Sequence, residues 1–322
     1  MRVARAAVAV IALICTGCIG ATVESGAPVD QTASGTWTTR APMPSARQEV
    51  AVAGLGDQVF VIGGFGDGAV ATATVEAYDV VSDTWQPRPP LPEPLHHAAA
   101  AAVRGRLFVV GGYTGGRIAW TRSAALYEYD PVRGTWIARA PMPTPRGALA
   151  AVALGGRLYA LGGDADGVTG VHEVYDPVAN RWHTAATMPT ARDHLAAVTA
   201  GGRIWAVGGR ASFFGTQYAN VEVYDPATDS WRAGPPLPDA RGGLTAAAIN
   251  DRIYVFGGEA PLRIFSSNEM YEAAGNRWIA KAAMPTPRHG IGAAVVAGRI
   301  HIAGGATSPG LARTAVHEVF TP

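Results

Sequence analysis

The chain has 322 residues, 48% of them hydrophobic and only 16% charged, with 40 glycines and a formal net charge of +1 at pH 7. That balance supplies no basic patch or stripe, so no nucleic-acid partner is expected. The length could hold two ordinary domains, but a repeat that runs to the last residues argues for one closed unit, expected to be monomeric.

The chain opens MRVARAAVAVIALICTGCIGA, with Arg2 and Arg5 ahead of an apolar stretch from Ala6 to Ile14. This is an export signal over residues 1–18, set aside from the fold. Its apolar stretch is shorter than the ~20 residues a membrane-spanning helix needs. Thr16-Gly17-Cys18 resembles a bacterial lipobox, in which Cys18 would carry lipid, although Cys15 stands where such signals usually have leucine. The expected location is therefore a bacterial membrane, with the chain anchored as a lipoprotein facing the periplasm or the cell exterior, or else secretion after cleavage nearby. Cys15 and Cys18 are the two cysteines of the chain, so the mature domain has no disulfide with which to close itself. Residues 19–34, rich in Gly, Ser, Thr and Ala, read as a flexible tether, and residues 35–322 as the folded domain.

From Trp37 onward a pattern repeats. Trp37, Trp85, Trp136, Trp182, Trp231 and Trp278 are each followed, 26 residues later, by the first glycine of a Gly-Gly pair. The period is 46 to 51 residues. Within the unit that starts at Gly147, LAAVAL predicts a first strand (a) and LYALGG a second (b), joined by a Gly-Gly-Arg turn. VHEVYD alternates as a half-buried strand (c), and after Asp176-Pro177 comes RWHTAA (d). Strands this short, joined by hairpin turns, pair antiparallel. Periods near 50 with four strands per unit point to a propeller.

A diglycine ending the second strand, a tyrosine ending the third and a tryptophan seven residues later resemble the kelch repeat. Tyr78, Tyr129, Tyr175, Tyr224 and Tyr271 all keep that spacing. Over residues 36–322 the resemblance implies an all-β, six-bladed β-propeller with four-stranded antiparallel blades. Trp37 lies in a d strand with no a, b or c before it, and the last unit ends at Pro322 with no d strand. The N-terminal strand is thus expected to complete the last blade and remove the open edges.

Internal comparison separates scaffold from site. A residue found in nearly every blade serves a need of every blade. Arg106, Arg157, Arg203, Arg252 and Arg299 recur in the a–b hairpin and are assigned to the scaffold. Ten residues after the tryptophan stand Arg47, Arg146, Arg192, Arg241 and Arg288, with Leu95 in the second blade. Early in strand c stand Glu76, Glu173, Glu222, Glu269 and Glu318, with Tyr127 in the second blade. One blade has lost both charges together. Each arginine is therefore expected to cross its diglycine and pair with the glutamate of its own blade, because a lone buried charge is costly.

All length variation lies between the diglycine and the tyrosine, in the b–c loops, which share a face with the d–a loops. Ligand residues are expected on that face. The positions after each series residue are Gln48-Glu49, His96-His97, Gly147-Ala148, Asp193-His194, Gly242-Gly243 and His289-Gly290. In kelch domains that bind peptides, polar d–a residues contact ligand, which by resemblance nominates Gln48, Glu49, His96, His97, Asp193, His194 and His289. Glu49, His97 and His194 are expected near the channel rim. The b–c loops add Phe65, Tyr113, Arg117, Trp120, Arg122, Arg210, Phe213, Phe214 and Arg263, of types that anchor interfaces and stack on sugars. The rim histidines His96, His97, His194 and His289 are expected to titrate near about pH 6. No metal site is expected, since no two ligands share a local spacing and the ring is expected to hold alternate blades apart. No cofactor is expected either: a copper radical centre of the galactose oxidase type needs a cysteine that the mature chain lacks. The leading functional expectation is a non-catalytic binding module for protein, peptide or glycan. The alternative is a carbohydrate-active enzyme of the sialic acid mutarotase type, with Glu49, Asp193 or His194 as acid or base.

Overall fold

The computed structural model describes residues 35–116, 119–212 and 214–322. The export signal, the tether, Cys18, Arg117 and Phe213 lie outside the described residues. Six four-stranded antiparallel sheets form the blades. In the third blade the strands are a (Ala150–Leu154), b (Arg157–Leu161), c (His172–Asp176) and d (Arg181–Thr184), paired in that order. Two small hairpins, Tyr113–Gly116 with Ala119–Arg122 and Glu259–Ala260 with Arg263–Ile264, extend the b–c loops of the second and fifth blades.

The a strands pack neighbour against neighbour around the axis, and the sixth (Gly292–Val296) packs on the first (Ala51–Leu55). Their small residues follow from this convergence: a Cβ on Gly292 would lie 2.6 Å from Val52. Each b strand buries its last four residues, because neighbouring blades cover it on both faces. At the first seam Phe60 and Ile62 meet Leu107, Val109 and Tyr129 of the next blade. Each such side chain, fully buried, stabilises by about 1.5–3 kcal/mol.

The ring closes as the sequence predicts. Thr36–Thr39 pairs antiparallel with His317–Thr321, Trp37 opposite Phe320. Each d-strand tryptophan donates its indole N–H to a carbonyl of the preceding d–a linker, from Trp85 to Ala41 at 2.8 Å through to Trp37 to Ala282 at 2.8 Å. The second glycine of each pair adds an inter-blade bond. Gly64 N–H donates to Leu95 O at 2.8 Å, and Gly305 N–H closes the circle on Arg47 O at 2.8 Å. Both glycines of the first pair have positive φ, and a Cβ on Gly63 would sit 2.4 Å from Leu95 O, so only glycine fits.

The five arginines cross as expected. Arg47 reaches Glu76 at 2.7 Å, Arg192 reaches Glu222 at 2.6 Å and Arg288 reaches Glu318 at 2.8 Å. Arg146–Glu173 and Arg241–Glu269 pair in the same way. The guanidinium lies over the diglycine, with Arg47 donating to Gly63 O at 2.7 Å and Arg288 to Gly304 O at 2.9 Å. All five arginines are at most 1% exposed, so each needs its partner. In four blades a Ser or Thr two residues before the arginine donates to the other carboxylate oxygen, as Thr190 does to Glu222 at 2.6 Å. Blade two shows how the pair was replaced. Its acid is Glu93, in the linker, and the Tyr127 hydroxyl donates to it at 3.0 Å. Burial, with that carboxylate second, pushes the Tyr127 phenol up to about 12.

Candidate functional site at the channel mouth

The two residues after each series arginine, or Leu95, divide their work. The first pairs with the residue that follows the diglycine: Gln48 with Phe65, His96 with Tyr113, Gly147 with Asp164, Asp193 with Arg210, Gly242 with Glu259 and His289 with Ala306. This bridge turns the first side chain outward, under the b–c loop. The second residue then adopts φ between +49° and +63° and faces the axis. Glu49, His97, Ala148, His194, Gly243 and Gly290 are joined in a circle of backbone hydrogen bonds of 2.9–3.0 Å, each N–H donating to the carbonyl of the preceding blade. The circle requires a conformation that glycine adopts freely and other residues adopt at a cost of about 1–3 kcal/mol. Two blades use glycine and one uses alanine; the other three carry Glu49, His97 and His194.

Those three meet. Their ligand-type atoms lie within 4.8 Å of one another, with His97 Nε2 3.4 Å from Glu49 Oε2 and the rings of His97 and His194 5.0 Å apart between centroids. His97 and His194 belong to alternate blades, so the expectation that alternate blades stay apart is corrected. Only Ala148 stands between them in the circle, and its methyl group is too short to separate two imidazoles. Outer partners hold each group. Asp193 Oδ1 accepts from His194 Nδ1 at 2.9 Å, and His96 Nδ1 lies 2.6 Å from His97 Nδ1. Arg210 lies 3.6 Å from Asp193 and donates to Glu259 at 2.7 Å. His289 Nδ1 faces Glu259 at 3.4 Å and Glu49 at 3.6 Å, completing the circuit.

Titration near pH 6 is also corrected for two of the four rim histidines. Burial first, and His194 nearby second, bring His96 down to about 3. The same causes hold His97 well below the ordinary histidine value. Both are neutral at physiological pH.

The other nominated residues fall into two groups. Gln48, His96 and His289 are at most 2% exposed and serve as walls rather than contacts. Phe65 and Tyr113 are buried too: Phe65 stacks on His96 at 3.9 Å, and the Tyr113 hydroxyl donates to Asp164 at 2.8 Å over Gly147, where a Cβ would strike its ring. Arg210 is likewise buried, while Trp120 and Phe214 stand exposed on the rim at 45% and 83%. Arg263 is more than half exposed and lies over the Phe265 ring at 4.2 Å. Asp164 and Glu259 were missed. They occupy the position immediately after the diglycine, the series that already supplied Phe65, Tyr113 and Arg210, and that register was the available signal. Arg122 donates to Asp164 at 3.0 Å, tying the small hairpin of blade two to blade three.

The mouth is a bowl of about 80 Å³ lined by two residues from each blade, above a channel lined mainly by alanine, with leucine next. Larger grooves of about 790 and 830 Å³ open on the opposite face, between blades five and six and between one and two. Turn residues repeated in other blades make up much of their lining, such as Asp79 and Glu272 at the end of strand c. The convergent acid and imidazole groups are at the mouth, which is therefore the better candidate.

Six blades closed by the terminal strand, with chemistry gathered where the loops converge, define a β-propeller that presents one individual face. The KLHDC2/KLHL20/DRC7 Kelch-repeats domain matches residues 29–188, 91–258 and 149–319, and the chain belongs to the kelch-repeat family. A solved structure of YjhT is similar in fold, with 17% identity and a TM-score of 0.72, over 85% of this chain and 95% of that chain. No curated protein matches the sequence.

Proposed function

We propose that the protein is an exported kelch propeller, tethered by lipid at Cys18, that binds a protein, peptide or glycan through its loop face without transforming it. The observation that carries this reading is the shape of the mouth. A bowl of about 80 Å³ admits only the tip of a ligand, whereas sites that engulf a small molecule measure roughly 300–1,000 Å³. The exposed Trp120 and Phe214 stand on the surrounding loops, where a larger partner would rest. Glycan and peptide arrays probed with the full chain test this: saturable binding, weakened at least tenfold by Trp120→Ala or Phe214→Ala, is the expected result.

One observation favours a second reading. Glu49 and the Asp193-oriented His194 offer a carboxylate and an imidazole at the same opening, the groups that sugar mutarotation requires. NMR of sialic acid anomerisation separates the two. Acceleration by the wild type that Glu49→Gln removes would replace the binding reading with the catalytic one.

A further inference from the structure

We infer that the channel mouth is a site for one divalent transition-metal ion of the zinc class, held by Glu49, His97 and His194. Three observations point the same way. The first is geometry. Zinc bonds of 2.0–2.2 Å in a tetrahedral arrangement set donor atoms about 3.4 Å apart. His97 Nε2 and Glu49 Oε2 already stand at 3.4 Å, and the donor set as a whole lies within 4.8 Å, so a small inward movement of side chains completes it.

The second is the outer support. Metal-binding histidines present one nitrogen to the ion and have the other fixed by a carboxylate or similar partner. Asp193 accepts the Nδ1–H of His194, which places the lone pair on Nε2. His96 Nδ1, 2.6 Å from His97 Nδ1, can accept a proton there and leave Nε2 of His97 free to coordinate. His289 Nδ1, buried, lies 3.6 Å from the second oxygen of Glu49 and 3.4 Å from Glu259, so a polar group backs the carboxylate on its outer side.

The third is backbone. The circle of left-handed residues closes with glycine at positions 243 and 290 and with alanine at 148, so the fold itself requires no larger side chain there. The three positions that do carry one bear two imidazoles and a carboxylate, a donor set suited to zinc, nickel, copper or iron(II). Three protein donors leave further coordination positions open toward solvent. The bowl then fits a ligand tip bearing a carboxylate, an imidazole or a water-bridged hydroxyl. This use of the ion rests on the binding role proposed above; occupancy by the ion does not.

Calorimetric titration of chelator-treated full chain with Zn²⁺, with Co²⁺ absorption as a second readout, tests the site without any ligand. One equivalent of zinc per chain is expected, together with intense visible Co²⁺ bands of a site with fewer than six donors. His194→Ala and Glu49→Gln should each weaken uptake at least tenfold, and Asp193→Asn by about 10–100-fold. His183→Ala, on an exposed outer strand, should leave it unchanged. Ala148 shows that alanine is compatible with the circle, so His194→Ala is expected to fold. If it does not, an anomalous-scattering peak at the mouth of zinc-soaked wild-type crystals decides the matter. Absence of stoichiometric uptake, or uptake undiminished in a Glu49→Gln/His194→Ala chain, would overturn the site. Array binding of Trp120 and Phe214 variants reports on the docking role separately, so either can fail alone.

Discussion

Two sets of ionisable groups share one face of this propeller and behave in opposite ways. The arginine–glutamate pairs recur in five blades, lie at most 1% exposed on the arginine side, and donate to backbone carbonyls of their own diglycine or of the b strand just before it. The groups at the mouth stand in only three of the six blades, histidine in two and glutamate in one, and converge from separate blades onto one axis. Recurrence marks what holds the ring; variation marks the proposed site. Blade two sharpens the contrast, because it gave up both members of the repeated pair at once and restored a satisfied acid through Glu93, Tyr127 and Ser123.

Several changes would break or refine this contrast. Removing residues 35–41 deletes the strand that pairs with His317–Thr321, strips the partner of Trp37's indole bond and leaves an exposed edge. Cooperative thermal unfolding should be lost, with a rise in aggregation. Next in size, Arg288→Leu leaves Glu318 buried beside Thr286 alone and should lower unfolding free energy by about 3–5 kcal/mol in urea. Copying blade two, with Thr286→Glu, Arg288→Leu and Glu318→Tyr together, should recover more than half of that loss.

Acid supplies a smaller effect. Burial first holds His172 and His301 down at about 4 and His317 at about 3, while the unfolded chain titrates near about 6.5. Between those values the unfolded state binds more protons. Stability is therefore whole above about pH 6.5 and falls as pH drops toward 4, by about 1.4 kcal/mol per pH unit for each histidine. Asn268 fills the same place in blade five, donating to Ala282 O at 3.0 Å as His172 contacts Ala186 O at 3.2 Å. Because His96 and His97 are held down by burial as well, His172→Asn should flatten the pH slope of urea midpoints by about a fifth of the histidine part.

Much of this was legible in the chain. The fixed tryptophan-to-diglycine spacing gave the blade count, the unmatched d strand gave the closure, and the joint loss at Leu95 and Tyr127 gave the buried pairs. The assembly of the mouth was not legible. Spacing along a chain says nothing about the radius of a channel, and two histidines nearly a hundred residues apart meet only because Ala148 between them is small. Nor does adjacency reveal that His96 turns outward while His97 turns inward. That split follows from the bridge to Tyr113 and the left-handed turn after it.

Urea unfolding of His194→Ala beside Arg241→Ala tests the division between scaffold and site most directly. Arg241→Ala should lose about 3–5 kcal/mol, and His194→Ala, at a circle position that alanine already occupies in blade three, about 1 kcal/mol or less. Equal losses in the two chains would contradict it, since the mouth would then be one more support of the ring.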